Sequence, residues 1–290
     1  MRPLRHLPPN TLWFVTSRCL QAQYLLRPDE ETTKRFGYWL GRALSRYPGV
    51  QLFAVVQMSN HFHLVLKDTA SELAFFMAYF EANLAKAINK LRERTGPVFH
   101  RRYSGEVILD ESAFDDRIAY TVMNPVRAGL VRTHEDWPGV LLWSKNETTI
   151  HDFKWFDEAK YERHRIHQIL GPKRQYQRSA KIELASVSNE QALSVDIKEA
   201  EEHVKAARKG MGVLGVRKIR NQDPFAAPDE PKKSHRPKCH TTCEVLRRAF
   251  REQMKVLRDA YGEVSADFRR GNSNAAFPMH TFRPFVWVPT

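Results

Sequence analysis

Along the N-terminal half, apolar positions switch between a period of two and a period near 3.6, the signatures of strand and helix. "LWFVTSRCL" (12–20) follows a Pro-Pro-Asn break and is rich in apolar and β-branched residues, which predicts a strand. Residues 29–47 open with acidic side chains and space Phe36, Leu40, Ala43, Leu44 and Tyr47 as on one helix face; Pro48-Gly49 ends that helix. "QLFAVVQM" (51–58) and "HFHLVLK" (61–67) read as two strands joined by a Ser59-Asn60 turn. Residues 71–94, Ala-rich and free of Gly and Pro, predict a long helix. Gly96-Pro97 breaks it, and 98–109 reads as an extended segment or fourth strand. The order β-α-β-β-α-β predicts an α+β, ferredoxin-like domain: an antiparallel sheet, two helices on one face, the other face open.

Further on, 112–123 predicts a short helix capped by Ser112, with Asp115 three positions later. Asn124-Pro125 closes it, and Pro125 suits the first turn of a second short helix ended by Ala128-Gly129. Residues 1–150 are accordingly expected to form the catalytic domain and the polar stretch 151–188 a linker. Residues 189–290 form a basic, mainly helical extension, with helices over 189–209 and from Thr241 to Gly262. Thr241-x-x-Glu244 has the form of a capping box. The Pro-rich, charged stretch 222–238 is expected to be extended or disordered. The tail from Phe277 is apolar and Pro-punctuated, fit to dock on a core or to stack on bases.

Charge narrows the partner. Lys and Arg total 46 against 33 Asp and Glu, a net +13 that points to a polyanion, nucleic acid before membrane surface. Three cysteines cannot make a disulfide framework and suit a reducing compartment. Cys239-His240-x-x-Cys243, with His235 upstream, is loose for zinc and has no second ligand pair after it. No apolar stretch is long enough to span a bilayer, so a cytoplasmic, nucleoid-associated protein is expected.

"NHFHLVL" (60–66) sets His61 and His63 on one face of a strand, where two neutral imidazoles could hold a divalent cation. By itself such a pair is more often two half-buried histidines bonded to backbone. The helix at 112–123 carries Tyr120, with Asn124 four residues on and on the same side. Asn124 can offer an amide oxygen to a hard cation such as Mg²⁺ or Mn²⁺, or cap the next turn. Tyr120 can attack phosphorus, or simply pack on the sheet. Together they are the parts of a tyrosine nuclease.

"QMSNHFHLVLK" and "YTVMNPVRAGLV" resemble the two signature blocks of the REP-associated tyrosine transposases, an IS200-like branch of the HUH single-strand transposases. "FVTSRC" and "GPVFHRRYSGEVI" resemble that family's first strand and its arginine-tyrosine block, so the likeness runs over roughly 10–145 in matching order. The resemblance implies a metal-dependent single-stranded DNA endonuclease and strand transferase that cuts at hairpin-forming repeats. It makes His61 and His63 the metal ligands, Tyr120 the nucleophile that forms a 5′-phosphotyrosine, and Asn124 a ligand in the place of the related branch's glutamine. It also implies imperfect palindromes as partners, and a monomer before a homodimer. Arg18, Arg101, Arg102, Tyr103 and Arg127 are placed to meet phosphates or guide bases, and "PKKSHRPK" (231–238) is a clamp on the hairpin or a solvated linker. The rival reading is an RRM-like sheet that binds single-stranded nucleic acid without cutting it, which requires exposed aromatics on the open face.

Overall fold

The computed structural model describes residues 4, 6–145, 147–229 and 237–284. Most of the basic run 231–238, His235 with it, and residues 285–290 of the tail lie outside the described residues. The expected unit is present as β1 (Thr11–Arg18), α1 (Glu30–Arg46), β2 (Val50–Gln57), β3 (His61–Asp68), α2 (Leu73–Leu91) and β4 (Ser104–Ile108). These strands lie side by side in the order β2-β3-β1-β4, every neighbour antiparallel. Strand order and connectivity are those of the ferredoxin-like α+β class.

One face of the sheet is sealed by α1 and α2. Phe36, Leu40, Phe80 and Leu84 pack there on Val15, Phe62, Leu64 and Leu66, all fully buried. The other face, expected to be open, is covered by α3 (Glu111–Arg127) and α5 (Glu190–Ala207), whose Ile118, Val122, Leu193 and Ile197 pack on Phe14, Ala54, Val56 and Val65. The strands carried the reason. In β2 and β3 nearly every residue is buried, and a near-continuous apolar run belongs to strands covered on both sides.

α3 also differs from expectation. Its cap is Asp110, whose carboxylate accepts the Ala113 N–H at 2.7 Å, not Ser112. It continues through Asn124 and Pro125 instead of stopping there, so Asn124 caps no separate turn. Proline's fixed φ suits a helix, and so near the helix end its missing N–H leaves a single carbonyl without its usual partner. Gly129, at φ +70°, then terminates the run.

The region expected as a linker is structured. β5 (Leu141–Trp143) pairs with β2, and β6 (Thr149–Phe156) pairs with β7 (Gln177–Leu184) around α4 (Glu158–Ile166). Leu184 meets Leu52, which adds this hairpin to the β2 edge of an eight-stranded sheet. His151, Phe153 and Trp155 alternate with exposed residues, the period-two pattern of a half-buried strand. Phe153 lies over Gly37 of α1 and β7 over Gly41, where a Cβ would stand 2.1 Å from the Phe153 ring and 2.6 Å from the Lys181 carbonyl oxygen.

The extension is helical as expected, with α5, α6 (Val216–Arg220) and α7 (Glu244–Arg269). α7 runs straight through Gly262, and the capping box does not form. The Thr241 hydroxyl donates instead to Asp110, and the two-residue β8 (Cys239–His240) adds to β4 in parallel. Among the described residues no helix is long and apolar enough to cross a membrane.

Candidate active site

Register decides what gathers at one end of the sheet. β1 sets Thr16 opposite His63 and Arg18 opposite His61; on its other side, Phe14 faces Glu106 and Thr16 faces Ser104. Alternation puts Phe14, Thr16 and Arg18 on one side of the strand, so one patch holds side chains from three neighbouring strands. The patch floors a cavity of about 600 Å³ whose lining includes Arg18, His63, Arg101, Arg102, Arg117 and Tyr120.

The two histidines are 4.9 Å apart between ring centres. Asn60 donates its amide to the Ala22 carbonyl at 3.1 Å, which turns its Oδ1 toward His61 Nδ1 at 2.7 Å. His61 Nδ1 therefore carries the proton, and its Nε2 keeps a lone pair. His63 Nδ1 is hydrogen-bonded to the Thr16 hydroxyl at 2.8 Å, and its ring stacks on Phe14 at 4.9 Å. Burial pushes the His61 imidazole down to about 3, with the Arg18 charge adding to the effect. Burial also lowers His63 well below the ordinary imidazole range, helped by His61, Arg18 and Arg117. Both rings are thus neutral near pH 7, the state in which imidazole binds metal, and their Nδ1 atoms are already oriented by neighbours. As a two-nitrogen donor set they fit a divalent cation. Among the described residues no third His, Cys, Asp or Glu joins them, so phosphate oxygens or water would complete the shell.

Tyr120 faces them from α3. Its ring lies 5.6 Å from that of His63 and edge-on to Phe14 at 5.7 Å. The guanidinium carbons of Arg117 and Arg127 each stand 5.6 Å from the tyrosine ring centre. Arg117 is held in turn: it donates to the buried Glu106 at 3.0 Å and to His240 Nδ1 at 2.9 Å. With Nδ1 accepting, neutral His240 must donate from Nε2, which meets Asp116 at 2.7 Å. Both nitrogens of His240 are taken by these partners.

The structure therefore brings Tyr120, His61, His63, Arg18, Arg101 and Arg102 to one place. Arg127 sits over the tyrosine ring, and Tyr103 is buried and turned to a neighbouring cavity. Asn124 follows Tyr120 by one turn, half-buried and outside the cavity lining. Sequence reasoning passed over Thr16, Phe14, Glu106 and Arg117, and met Asn60 only as a turn residue and His240 only in a loose zinc pattern. Alternation along β1 could have found Phe14 and Thr16, and helical spacing Arg117, three residues before Tyr120. Nothing local ties His240 to this site.

No protein-family model matches the chain, and no curated protein does. Among the solved structures similar to parts of it are the following two. One is a REP-associated tyrosine transposase bound to a REP hairpin, 17% identical, covering 48% of this chain and 81% of that one at a TM-score of 0.39. The other is the tRNA(His) guanylyltransferase of Saccharomyces cerevisiae, 10% identical, covering 73% and 83% at a TM-score of 0.34. Neither likeness carries weight for function at these scores.

Proposed function

We propose that this chain is a metal-dependent endonuclease and strand transferase for single-stranded DNA, with Tyr120 as its nucleophile. One observation carries the reading: the Tyr120 ring lies 5.6 Å from that of a neutral, buried, paired histidine, inside a cavity lined by arginines. The Tyr120 oxygen attacks the scissile phosphorus, and the bond from phosphorus to the 3′ oxygen breaks. A 5′-phosphotyrosine results. The phenol loses its proton, and the departing 3′ oxygen gains one. Strand transfer is the reverse step, with another 3′-hydroxyl displacing Tyr120. His61 and His63 would hold a cation of the Mg²⁺ or Mn²⁺ type, which would supply polarisation of the phosphate. The family resemblance adds Asn124 to that set. Arg117 faces the charge that develops on the phosphate, and Arg18, Arg101 and Arg102 meet the flanking backbone.

Hairpin-forming flanks as substrate rest on the sequence resemblance alone. The RRM-like alternative gains no support, because it needs exposed aromatics on an open face; here Phe62 is fully buried and helices cover both faces. The test uses the full chain, Mg²⁺ or Mn²⁺, and single-stranded hairpin DNA from the flanks of its own gene. A denaturant-resistant protein–DNA adduct is expected, absent in Tyr120→Phe, in His63→Ala and with chelator. Tight binding without an adduct for any flank or metal would overturn it.

A further inference from the structure

Beside the catalytic cavity, and sharing Arg101, Arg102 and Ser104 with it, is a second cavity of about 720 Å³. It lies on the opposite face of the β1–β4 edge, closed on one side by α7 through Phe250, Gln253 and Met254. Trp13 and Tyr103 contribute its aromatic lining, both buried. Gly105 packs directly against the indole: a Cβ there would stand 3.2 Å from the Trp13 ring. Trp13 is 5% exposed, yet its indole N–H has no hydrogen-bond partner among the described residues. Arg101 and Arg102, shared with the catalytic cavity, and Lys238 make the mouth cationic.

An apolar, aromatic lining under a cationic mouth suits one chemistry, a flat heterocycle attached to phosphate. Every nucleobase carries acceptors on its edges and a face that can stack. We propose that this second cavity holds one unstacked nucleobase of the same DNA strand whose scissile phosphate lies at Tyr120. The strand turns over Arg101 and Arg102, which grip its backbone at the junction. This inference rests on the proposed function and adds to it a base-binding site built by Trp13 and by α7.

The test measures binding of the full chain to the hairpin DNA that forms the Tyr120 adduct, with one abasic site moved a nucleotide at a time across the cut. One position is expected to weaken wild-type binding about tenfold when abasic. Two variants then separate the pocket from the rest of the surface. Gln253→Trp, at an exposed position of α7, fills the cavity, and Trp13→Phe alters its aromatic wall while keeping a ring. Both should bind intact DNA more weakly than wild type and lose the penalty at that position only. A 5-iodouracil placed there should crosslink to the peptide containing Trp13 or Tyr103. If intact DNA binds and forms the adduct but no abasic position is felt, or the penalty is unchanged in both variants, or the crosslink falls elsewhere, the pocket is wrong while the nuclease stands. If no DNA binds or forms an adduct, both readings fail.

Discussion

His240 reaches Arg117 across 123 residues of sequence, and its tautomer is fixed by having an arginine on one nitrogen and a carboxylate on the other. In the proposed reaction Arg117 meets the phosphate, and His240 and Glu106 would act through it as positioning residues. Replacing His240 with alanine should therefore leave DNA binding near wild type and slow adduct formation about 10- to 100-fold, as expected for a misplaced catalytic group. His240→Gln, whose amide can both accept and donate, should recover much of the rate. Single-turnover adduct kinetics beside equilibrium binding would check this; equal losses in rate and binding would mean that His240 only stabilises the fold.

Two elements show how small changes act through packing. α1 begins at Asp29, which accepts the Thr32 N–H at 2.8 Å and hydrogen bonds from Arg27 and Arg92. Burial by itself would raise this carboxyl, but those three hydrogen bonds outweigh it and hold it below the usual value. The folded state thus binds the proton less well than the unfolded chain does. The stabilisation is full above the unfolded value near 3.8 and is lost as pH falls through the folded one. Asp29→Ala should cost about 1 kcal/mol at neutral pH, and its Tm deficit should shrink only below about pH 4. On the same helix, Gly41→Ala looks favourable by propensity, worth up to about 1 kcal/mol. The Lys181 carbonyl 2.6 Å from the added Cβ reverses the sign, because it is backbone and cannot turn away. A net loss of about 1–3 kcal/mol in denaturant unfolding is expected, with the β6–β7 hairpin exchanging its amide hydrogens faster.

These elements also show what the sequence disclosed. The four central strands and both of their helices were legible because their apolar periods are long and uninterrupted. β6 and β7 were not: their inward residues, such as His151 and Phe153, are too few and too mixed to stand out from a polar stretch. The covering of the second face was missed because α5 lies far along the chain, although the continuous burial of β2 already asked for it. Pro125 misled in the other direction, since a proline near a helix end marks no break. At the site, His61, His63 and Tyr120 were visible as motifs. Glu106 and His240 were not, because their meaning comes from pairing partners that only the fold supplies.

At the scale of the whole molecule, the net +13 and the arginines at the cavity make binding electrostatic. With about five phosphates neutralised, the logarithm of the binding constant should fall with log salt at a slope near −3.5, the single-strand value of about −0.7 per contact. A slope near zero would show that the charge serves another end. Fluorescence anisotropy across a salt series measures it directly.

The return of β8 to β4 has a further effect on when the cavity comes into being. Synthesis is vectorial, at about 5–20 residues per second, and domains fold as they emerge. The strand that holds His61 and His63 and the helix that holds Tyr120 leave the ribosome well before residue 240 does. During that interval Arg117 has Glu106 but lacks His240, and Asp110 lacks Thr241. If Tyr120 cuts as proposed, a nascent chain beside its own gene would be a poor cutter until its last third has been made.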